Sequence, residues 1–179
     1  MKLNRREFVQ TTTFGLATAR STVALAQTPS NEKPLANSRV ITLDAKPEPI
    51  TIDLGKTAVI VVDMQNDFGT RGGMLERAGI DISQIQATVG PTSRVIASAR
   101  RSGVKIVYLK MAFRPDLSDL GPSNSKNWIN HMQVNVGKVV RAPDGKESRI
   151  LIRDTWNTDI VNELTPHPED EVFYRGTSS

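Results

Sequence analysis

The sequence predicts an α/β fold, a parallel sheet flanked by helices, and three runs of residues carry that prediction. Residues 57–62 are continuously apolar and β-branched, the pattern of a strand buried on both faces, and the run stops at Asp63. Ile82, Ile85, Val89, Ile96 and Ala99 then recur at helical spacing, and a second apolar run follows at 104–109. Strand, helix, strand in that order is a βαβ unit, because two parallel strands need a crossover between them.

Taken in order, the chain opens with a leader. Lys2 and the adjacent Arg5 and Arg6 precede a modestly apolar stretch from Phe8 to Ala19, and Ala24-Leu25-Ala26 supplies small residues for cleavage. The layout resembles a twin-arginine export signal, with Phe8 and Val9 following the arginine pair. Its apolar stretch is too short and too rich in Thr to span a bilayer, which takes about 20 apolar residues, so no membrane anchor is expected. Residues 1–26 are therefore read as a signal peptide of a periplasmic protein. Residues 27–39, rich in Pro, Ser and Asn, are read as a flexible linker, and 40–179 as the domain.

Residues 40–43 and 50–52 flank a turn with Pro47 and Pro49 and are expected as two short edge strands. After a glycine loop at Gly69, Gly72 and Gly73 comes the helix, which Pro91 is expected to break or restart and which Arg100, Arg101 and Gly103 close. Residues 113–138 read as a long polar loop, a functional cover or an ordered insertion, with one short helix near 128–132. Val139 and Val140, the turn at 143–146 and residues 149–152 form a hairpin pattern. A short helix is expected over 154–164, with Trp156, Ile160, Val161 and Leu164 buried, and a third sheet strand over 171–174.

Composition narrows the partners. The chain has 179 residues, 38% of them hydrophobic, enough for one globular core. Its net charge is +4, but Lys2, Arg5, Arg6 and Arg20 against Glu7 place three of those charges in the leader, which removes the case for nucleic acid. Cysteine is absent, which excludes disulfides, thiolate zinc sites and any thiol nucleophile among these residues. His131 and His167, the two histidines, stand far apart, so no metal site and no cofactor are expected.

Ligands of open parallel sheets bind beyond the carboxyl ends of the strands, where Asp63 stands. By residue type alone it could be a general base, a magnesium ligand or the cap of the next loop. The stretch Val61-Val62-Asp63-Met64-Gln65-Asn66-Asp67-Phe68 resembles the opening motif of the isochorismatase-like cysteine hydrolases. Gly72-Gly73-Met74, Ala78-Gly79-Ile80-Asp81 and residues 154–164 before Pro166 and Pro168 resemble their ureidoacrylate amidohydrolase branch.

That resemblance implies a Rossmann-like three-layer fold, here incomplete at its C-terminus. It also implies hydrolysis of a C–N bond in a small ureido or amide compound by an Asp, a Lys and a Cys. Asp63 falls on the family's aspartate. Arg175 falls where the family has lysine, either replacing it or belonging to an altered tail, and an arginine supplies a positive field but no proton. The cysteine is expected beyond Ser179, so the chain as given is expected to be inactive, and the full-length form to be a homo-oligomer. Residues 111–116 lack the Asp-x-His pair of the nicotinamidases. Asn66, Phe68 and Phe113 are candidate substrate-binding residues, with capping or core packing as the other reading of each.

The alternative is a non-catalytic binding protein that kept the sheet and lost the site, favoured by the missing cysteine and by Arg175. A third reading, a magnesium-dependent domain using Asp63 and Asp67, lacks a phosphate loop.

Overall fold

The computed structural model describes residues 39–175; the expected signal peptide and the linker up to residue 38 lie outside them, as do residues 176–179. In chain order, β1 (Val40–Leu43) and β2 (Ile50–Asp53) form an antiparallel ribbon, followed by β3 (Ala58–Val62), α1 (Asn66–Gly69), α2 (Met74–Arg77) and α3 (Ser83–Arg101). Then come β4 (Lys105–Met111), α4 (Lys126–Gln133), β5 (Val139–Arg141), β6 (Glu147–Arg149) and β7 (Glu171–Arg175). The main sheet is β3-β4-β7, parallel throughout, with β4 in the middle. No helix among the described residues is long and apolar enough to cross a membrane.

One face of this sheet carries a core. Val61, Ile106 and Tyr108 pack with Ile96 of α3 and with Ile160, Val161 and Leu164, and the buried Tyr108 hydroxyl donates to the Leu164 carbonyl at 2.9 Å. The opposite face is bare among the described residues. Alternation along the strands puts Ile60, Val62, Val107, Leu109 and Phe173 there, with Ile60 58% and Phe173 50% exposed. The expectation that 57–62 would be buried on both faces is thus corrected. Its apolar run has covering layers on one side only.

Two further expectations change. Pro91 does not break α3, because Val89, Ile96 and Ala99 hold both halves of the helix against the core across the missing N–H. The helix expected over 154–164 is instead two 3-10 turns, Trp156–Thr158 and Asn162–Leu164. Asp154 sits at φ 59°, the Thr155 hydroxyl donates to the Arg149 and Ile152 carbonyls, and Asn157 turns inward. Local side-chain hydrogen bonds win over helix here. Trp156 is accordingly half-buried, while Asn157 and Thr158 are fully buried.

The segment between β4 and β5 packs as an ordered insertion. Leu120 and Val136 join Phe113, Met74, Ile150, Leu151 and Ile152 in a second core, and Ser125 caps α4 by accepting from the Trp128 amide at 3.1 Å. At its border lies Asp67, 1% exposed. Its carboxylate accepts from the amides of Met74 at 2.9 Å and Leu151 at 2.7 Å and from the Asn157 side chain. Asn157 in turn accepts from the Ser148 hydroxyl at 2.5 Å. One carboxylate therefore ties α1, α2 and the turns around Leu151 and Asn157 together. Gly73 makes this approach possible, since a β-carbon there would stand 2.1 Å from the Asn66 carbonyl oxygen.

Burial pushes the Asp67 carboxyl up to about 6, against three N–H donors that favour the ion. A carboxyl whose folded value is raised above the unfolded 3.8 contributes most stability below that value and loses it as pH rises through about 6. Urea unfolding of the native chain and of Asp67→Asn at pH 4, 5.5 and 7 should show the native chain losing ground to the variant as pH rises. At 1.36 kcal/mol per unit the change approaches about 3 kcal/mol. A difference that stays constant over this range would contradict the raised value.

The bare sheet face makes a second prediction. Ile60→Thr and Phe173→Thr should each reduce binding of an apolar dye and self-association in sedimentation without lowering Tm, because Thr keeps β propensity and removes exposed apolar area. Unchanged self-association in both variants would show that the face is not the sticky surface.

Candidate active site

β3 ends by turning its last residues into a tight corner. The Asp63 amide still donates to the Leu109 carbonyl at 2.9 Å, as a strand residue would, but its φ is 56°, a left-handed conformation that few side chains adopt. Backbone strain of this kind is concentrated at functional sites. Just beyond, Gln65 is wholly buried and uses its carboxamide as a substitute strand: Nε2 donates to the Met111 carbonyl at 2.9 Å and Oε1 accepts from the Met111 amide at 2.6 Å. This adds a rung to β4 past the last β3 pair, Val62 with Leu109, and fixes the exit of the corner. The sequence reading did not single out Gln65 as a functional residue. The available signal was its place two residues beyond a strand-ending Asp.

The corner brings the Asp63 carboxylate to the C-terminal rim of the sheet, against the end of β7. Arg175 Nη2 donates to Asp63 Oδ2 at 2.8 Å across 112 residues of sequence. Oδ1 is closed to solvent and has no hydrogen-bond partner among the described residues. A buried carboxylate oxygen left unpaired is costly, which sets this group apart from the satisfied Asp67. Asp67 itself cannot serve as a cation ligand beside it, because both its oxygens are taken by N–H donors. The magnesium reading of Asp63 with Asp67 falls on that ground.

Tyr174 holds the end of β7 from the other face of the sheet. Its hydroxyl donates to Asp154 Oδ1 at 2.5 Å, and its ring lies 5.0 Å from the Lys110 ammonium and 5.3 Å from the Arg153 guanidinium. Burial first, then the Asp154 carboxylate, push the hydroxyl up to about 12, so it remains a donor. Burial lowers the Lys110 ammonium, with Asp159 4.0 Å away as its nearest acid. Arg175, the next residue along β7, is thus carried by an anchored strand.

The other candidates separate. Phe68 lines the same hollow as Asp63, a cavity of 530 Å³ walled mainly by Val62, Met64, Leu75 and Ile85. Asn66 does not: its side chain donates to the Trp156 carbonyl at 2.8 Å and accepts from the Thr70 hydroxyl at 2.7 Å, and it lines a different hollow beside Trp156. Phe113 is fully buried in the second core, edge-on to His131 with ring centroids 5.1 Å apart, and faces no cavity with Asp63. Phe113 thus packs in the core, while Asn66 ties the corner to Trp156 and Thr70 and borders that second hollow.

The fold is an open parallel α/β sheet, a class whose ligands bind beyond the C-terminal rim, where Asp63 and Arg175 meet. Comparison with known proteins narrows it. Residues 57–179 match the Isochorismatase domain model, and the chain belongs to the isochorismatase family. It is 37% identical over 140 residues to the ureidoacrylate amidohydrolase RutB of Methylorubrum extorquens, covering 78% of this chain and 55% of that protein. To the ureidoacrylate amidohydrolase RutB of Agrobacterium fabrum it is 38% identical over 130 residues, covering 73% and 56%. The chain spans about half the length of the curated relatives it matches. A crystal structure of a cysteine hydrolase from Pseudomonas syringae pv. phaseolicola superposes with a TM-score of 0.52 at 26% identity, over 69% of this chain and 48% of that one.

Proposed function

We propose that this chain carries the acid–base half of an amidohydrolase that cleaves a C–N bond in a small ureido or amide compound, with Asp63 as the base. The pairing of Asp63 with Arg175 at the rim, 2.8 Å apart, is the observation that carries this reading. A thiol near its ordinary value of about 8.5 needs a base and a positive field to become a nucleophile at neutral pH. In the proposed reaction Asp63 takes the thiol proton, sulfur bonds to the carbonyl carbon, and the C–N bond breaks as Asp63 returns the proton to the leaving nitrogen. Water then hydrolyses the thioester. Arg175 keeps its own proton and steadies the carboxylate. The names of the ureidoacrylate amidohydrolase relatives support a ureido substrate.

None of the 179 residues is a cysteine, and we place the nucleophile in polypeptide following Ser179. Alone, the chain should release no ammonia from ureidoacrylate or N-carbamoyl substrates. Extended in frame by the DNA following the last codon, through a strand bearing Cys, it should gain that activity, and Asp63→Asn should then lower kcat/KM by about 10²–10⁴. A stop codon directly after Ser179, or an extended enzyme indifferent to Asp63→Asn, would remove the hydrolase reading in favour of the non-catalytic one.

We also propose twin-arginine export, on the arginine pair at the start of the chain. Cell fractionation should find the processed protein in the periplasm, and replacing Arg5 and Arg6 together by Lys should retain the precursor inside. Equal export of both forms would contradict it.

A further inference from the structure

Trp156 stands apart from both hydrophobic cores. It is half-buried, and its indole N–H has no hydrogen-bond partner among the described residues. An indole placed on a wall rather than in a core offers its face and its N–H to whatever lies beside it. Here that is a hollow of 320 Å³, which shares no lining residue with the hollow beside Asp63.

The walls of this hollow are rich in acceptors and carry one charge. Glu163 is exposed there without an ion pair, and no lysine, arginine or histidine borders the hollow among the described residues. Thr70 has given its hydroxyl proton to Asn66 Oδ1 at 2.7 Å, so it presents lone pairs. The side-chain carboxamides of Gln86 and Asn162 have no partner among the described residues either. Arg100, which lines a further hollow that Glu163 also borders, is already paired with Asp170.

We propose that this hollow is a second binding site, for a small organic ammonium ion with an apolar body, which Trp156 and Glu163 hold between them. The ammonium donates to the Glu163 carboxylate and to the carboxamide oxygens of Gln86 and Asn162, and the indole face stabilises its charge. Val89, Pro143 and Val161 give the apolar body a place to lie. An anion finds no cation on these walls and a carboxylate that repels it.

Both recognition groups sit on backbone that is fixed before any ligand arrives. The Trp156 carbonyl accepts from the Asn66 side chain at 2.8 Å, and the next residue, Asn157, is wholly buried and bound to Ser148 and Asp67. Glu163 lies between Val161, whose amide donates to the Met64 carbonyl at 3.0 Å, and Leu164, whose carbonyl accepts from the Tyr108 hydroxyl at 2.9 Å. Such fixed supports reduce the ordering cost of binding. The site goes beyond the hydrolase reading and stands without it, since it uses neither Asp63 nor a nucleophile.

Phenethylamine, phenethyl alcohol and hydrocinnamate share a phenethyl body and end in a cation, a neutral group and an anion. The chain has two tryptophans, so isotope-labelled protein gives two indole N–H cross-peaks in NMR, and Trp156→Phe identifies the one at the site. At neutral pH phenethylamine should shift the Trp156 cross-peak saturably and bind about fivefold more tightly than the alcohol, with no saturable shift from hydrocinnamate. Glu163→Gln should erase that preference while leaving the alcohol's affinity and the thermal transition unchanged, because the side chain is exposed. Equal binding of amine and alcohol would overturn the inference and leave an apolar slot, as would a preference that survives Glu163→Gln. A response confined to the Trp128 cross-peak, or none at either indole, would overturn it as well.

Discussion

The corner that carries Asp63 depends on a charge that never reaches the surface. Asp67, four residues further on, gives up its hydration to accept from Met74, Leu151 and Asn157, and so locks α1 and α2 to a turn more than 80 residues away. Without that lock the path after β3 would rest on the Gln65 rung and on the bonds that join Met64 and Asn66 to Val161, Asp159 and Trp156. Two neighbouring carboxylates thus divide the work by environment. The one with every oxygen satisfied holds structure, and the one with an orphaned oxygen stands where chemistry can use it.

The division also explains which parts of the molecule were legible in the sequence. The βαβ unit and the place of Asp63 at a strand end follow from hydrophobic runs and periodicity, since burying apolar side chains on a sheet is a local pattern with a nearly unique solution. The hairpin of β5 and β6 followed from its turn residues, although its second strand is Glu147–Arg149 and not the expected 149–152, whose apolar residues Ile150, Leu151 and Ile152 go into the second core. By contrast, residues 154–164 show helical spacing yet form two 3-10 turns, because Asn157 is recruited by Asp67 and Ser148, partners that no local window contains. Phe113 and Asn66 kept two readings each for the same reason: an aromatic and an amide near a catalytic motif look alike in sequence whether they face a ligand or packed side chains.

Arginine at 175 is the point at which the sequence resemblance and the geometry speak to each other most directly. An arginine in the place of a family lysine could have belonged to an altered tail with no relation to the site. Instead β7 is in register with β4 through Met111 and Arg175, and the guanidinium meets Asp63 across the sheet end. A shift of one residue would have turned Arg175 to the α3 side of the sheet and Tyr174 to the other, because side chains alternate. The ring of Tyr174, held between Lys110, Arg153 and Asp154, opposes that slip.

The unpaired edge of β3 and the corner at Asp63 are neighbours at the C-terminal end of one strand. β3 is an edge strand, so its outer ladder is unpaired among the described residues, while the side chains of Ile60 and Val62 stand on the bare face. A strand that paired parallel with β3 would extend the sheet in its own plane and run its carboxyl end past Asp63, whereas covering Ile60 and Val62 takes a layer packed on the face. A group projected from that carboxyl end would arrive next to a carboxyl group already steadied by Arg175. Completing the rim and covering the sheet are therefore separate requirements, one met at the edge of β3 and the other on the face that Ile60, Val62 and Phe173 share.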